Sequence, residues 1–168
     1  MKIRLGFVSN SSSSSFVVAL EKIPRSAKEI QIILFGDQKC LIPSYEDKES
    51  KFTCEVAAER IYSDIVAQNF PLTYSELLET CDDVGFDSKL YNYKKFQVKD
   101  ENGTHTDYEA VHREISKRSK VIVDKFVEEN KGKFYYELTY GDENGAFESV
   151  LEHSDIFHRV PHIYMNGH

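Results

Sequence analysis

Four of the six histidines, His153, His158, His162 and His168, fall close together near the carboxyl-terminal end, beside Glu152 and Asp155. Imidazole nitrogens and carboxylate oxygens are ligands for zinc and related divalent ions. Three of them with one open position can activate a water molecule. Asp155, His158, His162 and His168 are therefore the candidate metal ligands, and a divalent metal such as zinc is the cofactor they would imply. The spacing fits no established signature such as His-Glu-x-x-His. The same side chains suit a metal-free acid–base pair of Glu152 or Asp155 with His158. A solvated polar edge accounts for them with no site and no cofactor at all.

The second group lies near the amino terminus. Gly6-Phe7-Val8-Ser9-Asn10 leads into Ser11, Ser12, Ser13, Ser14 and Ser15, then Phe16. Small polar residues between two strands allow a tight loop, whose N–H groups and hydroxyls could cradle an anion. The run lacks the Gly-x-x-x-x-Gly-Lys-Ser/Thr pattern of a nucleotide-binding loop. A structural turn whose hydroxyls satisfy their own backbone explains it equally well.

These two groups also carry a resemblance. The Gly6–Phe16 segment, the helix ending Leu34-Phe35-Gly36-Asp37, and the tail Leu151-Glu152-His153, Phe157 and Val160-Pro161-His162 are similar to a family of uncharacterised bacterial and bacteriophage proteins. These blocks cover about a third of the chain. The family pattern ends in two histidines, whereas Gly167 stands here at the first of them. The resemblance implies no activity. It implies a setting, that of proteins seen in phages and meeting host factors.

The elements that must position these residues follow from periodicity. In the tail, a helix over 147–158 places Glu152, Asp155 and His158 on one face, at i, i+3 and i+6. A strand from His162 points His162, Tyr164, Asn166 and His168 one way, and Ile163 and Met165 to the core. Residues 2–8 alternate as a half-buried strand, and 16–20 are apolar on both faces, as inside a sheet. Residues 133–140 alternate again and form a further strand, followed by a turn from Gly141 to Gly145.

Three helix starts carry a hydroxyl followed three residues later by glutamate: Ser26 with Glu29, Thr73 with Glu76, and Thr106 with Glu109. The first helix stops at Gly36, the second near Gly85. The third runs over about 107–130 with Tyr108, Val111, Ile115, Ile122 and Phe126 as its apolar stripe. Another helix spans about 53–69, limited by Pro71. The stretches 37–50 and 86–105 read as connections, the latter with a strand at 91–98 and a turn at Asn102-Gly103. Strands at both ends with helices between predict an α+β fold. One mixed or antiparallel sheet is built from N- and C-terminal strands, with about four helices on one face, in a single domain over 1–168.

Composition sets the outer bounds. Apolar residues make up 40% and aromatics 12%, enough for a core. No apolar run is long enough to cross a bilayer, and the first residues lack the apolar stretch of a secretion signal. Cys40, Cys54 and Cys81, 14 and 27 residues apart, form no disulfide framework or zinc knuckle and read as free thiols in the cytoplasm. The net charge of −7 opposes general nucleic-acid binding. Arg113, Lys117 and Lys120 share a helical stripe, but Glu109 and Glu114 among them point to a solvated, ion-paired face. The reading that follows is a non-enzymatic binding or regulatory protein acting on a host protein. An acidic surface of this kind can occupy a basic site on a nucleic-acid enzyme. The alternative is a metal-dependent hydrolase using the tail.

Overall fold

A strand apolar on both faces needs neighbours on both edges, and Phe16-Val17-Val18-Ala19-Leu20 finds them at the far end of the chain. The computed structural model describes residues 13–41, 52–101, 103–141 and 145–167. The expected strand at 2–8, Ser11, Ser12, the middle of the turn at 142–144 and His168 lie outside these.

In chain order the first elements are β1 (Ser13–Leu20), α1 (Ala27–Phe35), β2 (Cys40–Leu41), β3 (Phe52–Thr53), α2 (Cys54–Ala67) and α3 (Tyr74–Thr80). Then follow β4 (Gln97–Asp100), β5 (Gly103–Thr106), α4 (Tyr108–Glu129), β6 (Phe134–Gly141), α5 (Ala146–His153) and β7 (His162–Gly167). Two compact units result, one from residues 1–71 with 133–168 and one from Leu72–Gly132. No helix among the described residues is long and apolar enough to cross a membrane.

The first unit is α+β, and its main sheet has the order β6-β1-β7, antiparallel throughout. The expected sheet of N- and C-terminal strands is therefore present, with β1 at its centre. Phe16 lies opposite Leu138 on one side and Tyr164 on the other. Phe16, Val18 and Leu20 share a core with Ile30 and Leu34 of α1, Ala57 and Ile61 of α2, and Leu151 of α5. Val17 and Ala19, on the other face, are equally buried, which is why β1 reads as a continuous apolar run. Ser26 caps α1 by accepting from the Glu29 N–H, and Gly36, at φ 55°, ends it.

The second unit pairs α3 with α4 and adds a β4–β5 hairpin. Leu90, Phe96, Val111 and Ile115 form its small core. At Thr73 both halves of the capping box are made, as expected.

Four expectations are corrected. Asp107, not Thr106, caps α4, its carboxylate accepting from the Ala110 N–H. The buried stripe of α4 is Val111, Ile115, Ser119, Val123 and Phe126, leaving Tyr108 and Ile122 exposed. Residues 88–92 and 94–96 form two short 3-10 turns, so the strand expected at 91–98 begins only at Gln97. Finally, α5 stops at His153, because Ser154 caps it and Asp155 takes a φ of 45°.

Candidate functional site

Among the described residues the serine run and the tail meet through Glu152 and Tyr164 rather than through a histidine. The described serines, Ser13 to Ser15, lie within β1, where alternation sends Ser14 to the core face beside Phe16. Its hydroxyl donates to Glu152 Oε1 at 3.0 Å and lies 3.1 Å from the Tyr164 hydroxyl. Ser15 points the other way and meets Thr139 Oγ1 at 2.8 Å. Ser14 and Glu152 are both buried. Glu152 Oε2 has no hydrogen bond, and His153 Nε2 at 3.4 Å is an electrostatic neighbour only. A buried carboxylate with a hydroxyl donor ties β1, α5 and β7 together.

The described tail histidines, His153, His158 and His162, go to separate places. The early end of α5 breaks the expected shared face of Glu152, Asp155 and His158. His158 Nδ1 lies 2.8 Å from the Asp155 carbonyl, and His162 Nδ1 lies 3.1 Å from the Val160 carbonyl. The His162 ring also packs 6.4 Å from Phe16 and 6.3 Å from Phe157. Among the described residues no three His, Cys, Asp or Glu side chains come together as a metal site.

A second polar cluster escaped the sequence reading. Arg60 Nε in α2 meets both Asp64 oxygens at 3.0 Å, and its Nη1 meets Glu148 Oε1 of α5 at 2.6 Å. The Tyr140 hydroxyl donates to Asp64 Oδ2 at 3.3 Å. Burial works against the Arg60 charge, but the Asp64 bond and the two carboxylates raise its pKa above the usual value. Burial first, then the Asp64 charge, pushes the Tyr140 phenol well above its ordinary range. Only the Arg60–Asp64 spacing of i, i+4 was visible in the sequence. The network clamps α2, α5 and β6.

A concave, apolar-lined surface lies in the second unit. Residues 84–87, after α3, cross the middle of α4 at Gly85. The Gly85 N–H donates to Ser119 Oγ at 2.9 Å, and that hydroxyl donates to the Asp82 carbonyl at 2.8 Å. A Cβ on Gly85 would stand 2.5 Å from Arg118 Cβ and 2.6 Å from the Ser119 nitrogen, so only glycine lets the loop lie this close. The crossing opens a groove of about 520 Å³, lined by Val84, Phe86, Lys117, Val121 and Ile122 among others. Phe86 is 50% exposed, Val121 68% and Ile122 38%.

No family model, no curated protein and no solved structure matches this chain. The surfaces themselves must therefore carry the functional reading.

A sequence signal for the groove did exist. Val121-Ile122-Val123 puts three β-branched apolar residues in succession on a helix, and an α-helix can turn only part of such a run to one stripe. Val123 takes the core position, and the other two stay outside.

Proposed function

We propose that this chain is a binding or regulatory protein without catalytic chemistry, and that it engages a partner protein through the groove between residues 84–87 and α4. One observation carries the reading. Val121, Ile122 and Phe86 keep apolar surface in water beside a loop fixed on α4 at Gly85. Contiguous exposed apolar surface with a polar rim marks interaction sites more often than chance exposure. A rigid floor also spares the partner much of the ordering cost of association. The polar clusters support the same view, since their groups bond one another between packed elements.

The resemblance to bacterial and phage proteins supplies the setting: the cytoplasm of a bacterium, and a host protein as partner. The chain is expected to retain a stoichiometric partner from bacterial lysate, and Val121→Asp to lose it. Recovery of no partner from several hosts would remove this reading. So would a partner retained equally by Val121→Asp.

A further inference from the structure

The rim of the groove narrows the chemistry of its occupant, on the assumption that the groove is the binding surface proposed above. Three ionic groups on the rim are already matched within the fold. Arg118 Nε lies 3.3 Å from Glu114 Oε1, and its Nη1 lies 4.0 Å from Asp87 Oδ2. Lys95 Nζ adds a second cation to Glu114 at 3.4 Å. Burial works against the Glu114 charge, but the hydrogen bond from Arg118 and the charge of Lys95 together hold its carboxyl below the ordinary range. Lys117 is different. It is exposed, lines the groove, and makes no ion pair among the described residues. Among the described residues lining the groove, Lys117 is therefore the cation left unmatched, and both carboxylates, Asp87 and Glu114, are matched.

The floor sets the length. Lys117 and Val121 form one ridge of α4, and Arg118 and Ile122 the next. From Glu114 to Ile122 the helix rises about 12 Å, which two turns of a partner helix match. We infer that the occupant is an amphipathic helical segment of another protein. It presents apolar side chains at i, i+3 or i+4, and i+7 to Phe86, Val121 and Ile122, and one carboxylate about a turn away to Lys117. A strongly acidic segment is disfavoured, because the chain itself carries a net charge of −7. One carboxylate in an otherwise neutral helix satisfies both conditions.

The test selects binders from a display library of short random peptides against the full-length chain. Sequences with helical apolar spacing and a single Asp or Glu are expected to dominate. For the best of them, Lys117→Glu should weaken binding about fivefold or more, the scale of an exposed ion pair lost and then reversed. The same variant should favour the peptide with its acid changed to lysine. Val121→Asp should weaken every selected peptide by at least about tenfold, since it removes buried apolar contact. Selection of apolar peptides without an acid, or an unchanged acid preference in Lys117→Glu, overturns the assigned chemistry while leaving the groove in place. Selection unaffected by Val121→Asp overturns the groove itself. Selection of nothing above background overturns both.

Discussion

The two regions that invite a functional reading are opposites. In the first unit Ser14, Glu152 and Tyr164 bring polar atoms into a buried place, and their groups largely satisfy one another. In the second unit Phe86, Val121 and Ile122 bring apolar atoms to the surface, where they keep much of their area exposed. Polar residues catch the eye in a sequence because they can do chemistry. Once folded, a buried polar cluster has spent that capacity on its neighbours, while an exposed apolar groove still has free energy to release on contact. The contrast predicts that changes in the first region cost stability, and changes in the second cost binding.

Glu152→Ala should produce the largest effect. It removes the acceptor of the Ser14 hydroxyl and leaves a void between β1 and α5, lowering unfolding free energy by about 3 kcal/mol. Urea denaturation reads this directly. An unchanged midpoint would mean that the cluster does not hold the sheet to α5.

Gly85→Ala comes next and tests both sides of the contrast at once. Its new Cβ meets helix backbone, so the loop must lift, at a cost of about 2 kcal/mol. Amides at 82–86 should then exchange faster with solvent, and binding through the groove should fall. Exchange and binding both like wild type would show that the close crossing does not shape the groove.

Val121→Asp should leave stability within about 0.5 kcal/mol, as for surface substitutions generally, while abolishing binding. A large drop in melting temperature would place Val121 in the packing of the unit, and would break the comparison.

The smallest effect concerns the cap of α3. The Thr73 N–H bond, aided by the Thr73 hydroxyl, holds the Glu76 carboxyl below the ordinary glutamate range. A folded-state value below the unfolded one stabilises the fold above the unfolded value, and this is lost as pH falls through the folded value. NMR titration should show the low midpoint, and Glu76→Gln should flatten the acid side of the stability profile. An identical profile in the variant would exclude this contribution.

What the sequence made legible was local or periodic. The box at Thr73 was readable because its partners lie three residues apart. The sheet strands 16–20, 133–140 and 162–166 were readable from apolar alternation and need of partners, and the observed strands match them within a few residues. At Ser26 only half the box formed, because Glu29 reaches the Arg25 N–H, one residue beyond the cap. The Ser14 cluster was not readable, since its partners stand 138 and 150 positions away. Nor was the serine run legible as strand. Serine favours turns when read alone, and only pairing with Thr139 to Gly141 and Met165 to Gly167 makes 13–15 extended. The helical phase of α4 failed for a related reason: competing apolar residues left two stripes open, and tertiary packing chose between them.

The central position of β1 has a consequence for how the protein comes into being on the ribosome. Leu20 pairs with Phe134, and Val18 with His162, so this strand has neither neighbour until nearly the whole described chain has been synthesised. At about 5–20 residues per second, Phe16 to Leu20 wait for several seconds as an exposed apolar segment with both edges open. Residues 72–132, contiguous in sequence, can acquire their local helices during that interval. The nascent chain thus passes through a stage in which its most apolar strand is available to chaperones or to other nascent chains, and β6 and β7 end that stage when they arrive.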